Sequence, residues 1–98
     1  MTPGHARVIV RGEFDLAVAI PLRTTFRDLM VEGPIDMDVN LAEVTFIDST
    51  ALGVLLGGQR QARVFRGAFR LEDPSAPVLR LLSLTALDRV FEVSTSEG

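Results

Sequence analysis

Between Val44 and Leu56 the chain changes period. Val44-Thr45-Phe46-Ile47 is β-branched and aromatic, as a buried strand is. Ala51-Leu52-Gly53-Val54-Leu55-Leu56 is apolar and small, as a packed helix is, and only Asp48-Ser49-Thr50 separate the two. A strand that becomes a helix within three residues needs a turn whose side chains satisfy the first helical N–H groups, and Asp, Ser and Thr do this best. The junction therefore sets one hydroxyl, Ser49, beside a carboxylate at a helix N-terminus. Backbone N–H groups are unpaired there and the helix dipole is positive, so the position tolerates an added anion. A serine held in this way suits a phosphate that is written and erased. That is the chemistry of a switch, not of an enzyme.

The rest of the chain supplies the frame. Ala6–Arg11 reads as a short strand, and Gly12-Glu13-Phe14-Asp15 as the turn after it. From Val18 to Val31 the apolar positions Ile20, Leu22, Phe26, Leu29 and Met30 follow a helical period, with Pro21 acceptable only in the first turn. Gly33-Pro34 ends that helix. Ile35, Met37, Val39 and Leu41 alternate with polar residues and share one strand face; Val44–Ile47 extends or follows that strand past an irregularity at Ala42-Glu43. A second helix covers Thr50–Phe65, a strand Ala68–Leu71, and a third helix Ala76–Leu82 with Val78, Leu81 and Leu82 inward. Leu84–Val93 closes the chain as a turn and a last strand, and Ser94–Gly98 reads as frayed. Strand and helix alternate throughout, which predicts a layered α/β domain with a partly parallel sheet.

Composition bounds the function. The chain has 98 residues, 47% of them apolar, which fits a single domain over 1–98 with its core between about 6 and 93. No cysteine is present, so no disulfide or thiolate metal site exists. The one histidine, His5, lies in a Met-Thr-Pro-Gly-His segment that reads as a mobile arm, which argues against a metal site or a catalytic triad. Neither a metal nor a cofactor is expected. The net charge is −3, and all ten basic residues are arginines spread along the chain, which reads as the composition bias of a GC-rich genome and gives little support for nucleic-acid binding. Arg60, Arg63, Arg66 and Arg70 cluster locally and read as a solvated helix face and its exit. No apolar run reaches the ~18 residues that span a bilayer, and the N-terminus lacks a secretory pattern; a cytoplasmic location without membrane contact is the expectation.

Three blocks in the right order resemble the STAS domain family, typified by bacterial anti-sigma factor antagonists. Gly12-Glu13-Phe14-Asp15 is similar to the family's Gly-Glu-Leu-Asp turn, and Val44–Gly53 to its central strand and phosphorylation loop. Asp73-Pro74-Ser75 with Leu81-Leu82 and Leu84–Phe91 is similar to its closing helix and strand. The resemblance covers about residues 7 to 93. It implies a small mixed or parallel sheet of four to five strands with helices packed on it, without the family's N-terminal strand and C-terminal helix. Such omissions would bare a sheet edge or an apolar patch, which self-association into a homodimer is one way to cover. Ala51 and Ala86 stand where the family commonly has glycine.

The resemblance implies that Ser49 is phosphorylated by an anti-sigma factor that is also a serine kinase. Unphosphorylated protein binds that partner and frees a sigma factor; phosphate stops the binding and a metal-dependent serine phosphatase restores it. Asp15, Asp48, Thr50, Leu52 and Gly53 are the implied contact residues. Each has a plainer reading: Asp48 as a helix cap, Thr50 as part of the turn, Asp15 as a turn or N-cap residue, and Leu52 as core. Gly53, Gly57 and Gly58 read as sites of close helix packing.

Two rivals remain. Ser49 as a hydrolase nucleophile lacks a Gly-x-Ser-x-Gly elbow and a nearby histidine base, and a phosphate-binding loop lacks its lysine. A non-switching STAS module, serving as a scaffold or as a subunit of a lipid-transport or stressosome-like complex, would share the fold but has no need of the Ser49 hydroxyl. The same holds for the cytoplasmic domain of an anion transporter, which the missing spans disfavour.

Overall fold

The computed structural model of the chain describes residues 4–31 and 33–95. In order it forms β1 (Gly4–Phe14), α1 (Leu16–Met30), β2 (Ile35–Ile47), α2 (Ser49–Val64), β3 (Phe69–Glu72), α3 (Ala76–Leu84) and β4 (Glu92–Ser94). The four strands are all parallel and lie in the order β1-β2-β3-β4. Right-handed crossovers in a monotonic strand order return every helix to the same face of the sheet. The side chains follow: Val10, Met37, Val39, Leu41, Phe69 and Leu71 share one buried core with Phe26, Leu55, Val78 and Leu82 of the helices.

The opposite sheet face is polar and closed by pairs that run across strands. Arg70 Nε donates to Asp38 at 2.7 Å, Arg7 meets Glu72 at 2.7 Å, and the buried Asn40 amide donates to Glu72 at 2.8 Å. His5 completes this network, with Nε2 2.6 Å from the Asp38 carboxylate. It is thus a residue of β1 and not part of a loose arm, because Asp38 gives its ring a partner. From His5 to Phe14 the strand advances roughly 30 Å at ~3.3 Å per residue. No base for Ser49 can come from there.

The 13-residue β2 is one strand, continuous through Ala42-Glu43. It gains a residue on β1 twice: Ile9 faces Asn40 but Arg11 faces Glu43, and Gly12 faces Val44 but Glu13 faces Phe46. These bulges change which side chains point inward. After Met37, Val39 and Leu41 the buried positions are Val44 and Ile47, while Thr45 and Phe46 both face out. Gly12, at φ +77°, absorbs its share of the second irregularity within the strand. Gly12–Phe14 therefore continues β1, and only Asp15 turns the chain.

Helix α1 starts two residues earlier than its periodicity suggests, because Asp15 caps it. Pro21 then falls sixth in the helix, past the first turn. It sits on the solvent side, where the unpaired carbonyl four residues back can take water, so the helix runs through it. Ala19, Leu22, Phe26 and Met30 are buried, and Ile20 is exposed. Helix α3 extends to Leu84 with Val78 and Leu82 buried and Leu81 only half-buried. Ser94 ends β4, so the segment expected to fray begins inside a strand; residues 96–98 of it lie outside those described.

Candidate functional site

Parallel strands followed by helices bring successive helix N-termini to one edge of the sheet, at the carboxyl ends of the strands, where α/β proteins build their sites. Phe14 and Ile47 pair in register at that edge, and the Asp48 N–H points to the Phe14 carbonyl at 3.4 Å. The residues that follow each strand are therefore neighbours. Asp15 caps α1, its carboxylate accepting from the Ala17 N–H at 3.1 Å. Asp48 caps α2, its carboxylate accepting from the Ala51 N–H at 2.9 Å, while its carbonyl accepts from Leu52 N–H at 3.1 Å. Both caps have extended backbone, as capping requires.

This geometry divides the labour within Asp48-Ser49-Thr50. Asp48 is the cap. Ser49 is the first residue of α2; its side chain is exposed and takes part in no hydrogen bond among the described residues. Thr50 is exposed beside it. Since Asp48 satisfies the Ala51 and Leu52 N–H groups, those of Ser49 and Thr50 remain as the open donors of the helix start. Two helix dipoles converge here with their positive ends, offset by two carboxylates.

Leu52 does not join this surface. It is 4% exposed and packs in the core, so it has no area to offer a partner. Val54 and Leu55 are also buried, leaving Leu56, half-buried, as the apolar residue of that run with any outward surface. Gly53 is exposed one turn beyond Ser49, and a Cβ built there or at Gly57 would meet nothing within 4 Å. Close packing belongs to Gly58 alone of the three: a Cβ there would lie 2.8 Å from the Phe69 ring and 2.9 Å from that of Phe26. Those rings meet edge-to-face at 5.5 Å.

Sequence reasoning overlooked a groove at the same edge. Thr45, Phe46 and Ile47 of β2 and Arg80, Leu81 and Leu84 of α3 line a cavity of about 280 Å³. Phe46 is half exposed and Leu84 77% exposed. A strict alternation through β2 hides this, because the bulge decides that Phe46 faces out. Among the described residues no group of three or more His, Asp or Glu side chains is placed to hold a metal ion, and no helix is long and apolar enough to cross a membrane.

A family model described as "Mlab, STAS domain" matches residues 1–93. The chain belongs to the STAS domain family. Among curated relatives, this STAS domain is 33% identical over 93 residues to the anti-sigma-B factor antagonist of Bacillus subtilis, covering 94% of the chain and 84% of that protein. It is 30% identical over 94 residues to the antagonist of the same name in Listeria monocytogenes, covering 96% and 82%. Among solved structures, a Thermotoga maritima protein assigned as an anti-sigma factor antagonist superposes with a TM-score of 0.81 at 26% identity, over 92% of this chain and 78% of that one. The anti-sigma factor antagonist SpoIIAA in its unphosphorylated form gives 0.83 at 22% identity, over 97% and 84%, and shares the fold. STAS proteins of this antagonist type are regulatory binding proteins that work through protein partners, not enzymes.

Proposed function

We propose that this STAS domain is an anti-sigma factor antagonist that binds an anti-sigma factor serine kinase, releases the sigma factor held by it, and is switched off by phosphorylation of Ser49. The observation that carries the reading is the spare hydroxyl. Asp48 caps α2, so the Ser49 side chain has no part in holding the helix and stands exposed at its first residue. Asp15, Thr50 and Gly53 surround it as the contact surface; a metal-dependent serine phosphatase reverses the mark.

Phosphate adds about −1.5 to −2 charges at neutral pH. At this helix start it gains on the order of 0.3–2 kcal/mol from the dipole and the open N–H groups, and Asp48 and Asp15 offset part of that. The fold is left nearly as it was. The partner meets a dianion in its interface, and a penalty of about 2.7 kcal/mol weakens binding a hundredfold.

Incubation with the anti-sigma kinase of the same genome and ATP is expected to add one phosphate, measured by intact mass, and none to Ser49→Ala. A phosphate that persists in Ser49→Ala moves the acceptor elsewhere. Stable binding with no phosphorylation at all points instead to a scaffold module.

A further inference from the structure

The Phe46–Leu84 groove begins two residues before Ser49, and its composition is unlike the polar rim around the serine. Its floor is apolar, from Phe46, Ile47, Leu81 and Leu84. Leu84, at 77% exposure, and Phe46, at 50%, are large apolar side chains that the fold itself leaves uncovered. The bulge that turns Phe46 outward disrupts the regular pairing of β1 with β2 and brings no compensating burial of the ring. At the rim stands Arg80, exposed and without an ion-pair partner among the described residues. On this side the pairing of β2 with β3 stops at Asn40, and Ser75, just ahead of α3, donates its N–H to the Leu41 carbonyl and its hydroxyl to the Val44 carbonyl at 3.2 and 2.7 Å.

We propose that this groove is a second contact for the protein partner that meets Ser49, taking a segment that carries one large apolar side chain followed by a carboxylate. The inference rests on the antagonist reading given above. The apolar floor has room for about one bulky side chain, the kind of buried anchor that dominates protein interfaces. Arg80 supplies the charge complement at the rim and selects an acidic neighbour for that anchor. One cation beside a concave apolar slot is too little for a nucleic-acid or anionic membrane surface, which recruit several. Because the groove adjoins the helix start, a single partner covers both: the groove gives affinity, and Ser49 decides whether that affinity is usable.

The test uses the purified serine-kinase anti-sigma factor of the same genome, titrated with wild type, Ser49→Asp, Leu84→Glu, Arg80→Glu and, as a control at the far end of α2, Val64→Glu. Leu84, Arg80 and Val64 are all exposed, so these variants are expected to keep the wild-type thermal midpoint. Leu84→Glu and Arg80→Glu should each weaken binding about tenfold or more, and Val64→Glu should leave it unchanged. In the phosphorylation assay the two groove variants should raise KM and leave kcat within about twofold, the signature of a docking contact away from the transferred phosphate. If Ser49→Asp weakens binding but the groove variants bind as wild type does, the switch stands and the groove proposal falls. If wild type fails to bind, both fall together. Sedimentation of the chain alone is the last arm: a wild-type dimer that Leu84→Glu dissolves would make the groove a self-interface and overturn the partner assignment.

Discussion

Two alanines stand where the family commonly has glycine, and their environments differ. Ala51 is buried in the first turn of α2 with helical backbone, and its N–H is held by Asp48, so a side chain there costs nothing. Ala86 has φ +59°, in the left-handed region that a Cβ disfavours by roughly 1–2 kcal/mol. It ends the last turn of α3, its N–H donating to the Ser83 carbonyl at 3.2 Å. Ala86→Gly is therefore expected to stabilise the fold by about 0.5–1 kcal/mol, since the strain relieved exceeds the entropy added to the unfolded chain. A thermal melt should show a rise of several degrees. An unchanged or lower midpoint would mean that the local geometry carries no strain.

Helix α2 shows how an element divides its residues between folding and function. Its inward face is set by Ala51, Leu55, Gly58 and Ala62, and its outward face carries Ser49, Gly53 and Gly57. The adjacent glycines Gly57 and Gly58 then behave oppositely. Gly57→Ala adds a methyl into open space and removes the glycine penalty, for a gain of up to ~1 kcal/mol. Gly58→Ala pushes a methyl against the Phe26 and Phe69 rings and is expected to cost about 1–3 kcal/mol. Urea denaturation of the pair measures both signs. Loss of stability at both positions would show that the outer surface of α2 is not free.

Across the whole molecule, the polar sheet face ties three strands together through Asp38 and Glu72. The Arg70 guanidinium holds the Asp38 carboxyl below its usual range, against the opposing effect of burial and with help from His5. A carboxylate whose folded pKa is depressed stabilises the fold fully above the unfolded value of about 3.9, and that contribution disappears as pH falls through the folded value. Asp38→Asn is thus expected to lower the thermal midpoint at pH 7 by several degrees, for about 1–2 kcal/mol. It should also flatten the loss of stability on acidification below about pH 4. Equal midpoints for variant and wild type at pH 7, or parallel acid transitions, would remove Asp38 from the account.

The order of elements was legible because strands and helices differ in apolar period, and Ile35–Leu41 and Val78–Leu82 carry those periods plainly. The strand–serine–helix junction was legible for the same reason: Asp48, Ser49 and Thr50 have no other local use between two apolar runs. Local pattern does not contain long-range pairing. Asp48 became the cap, and Ser49 the spare hydroxyl, once α2 had a defined first turn. His5 became a fixed residue of β1 because Asp38, 33 positions away, faces it. Phe46 turned outward because β2 has to match the shorter β1 by two bulges, a constraint that exists only when the strands are side by side. Which segments are strands and helices, and which serine sits between them, follows from neighbours in the chain. Which side chains are left for a partner follows from the packed fold, because exposure depends on what packs against a residue from elsewhere.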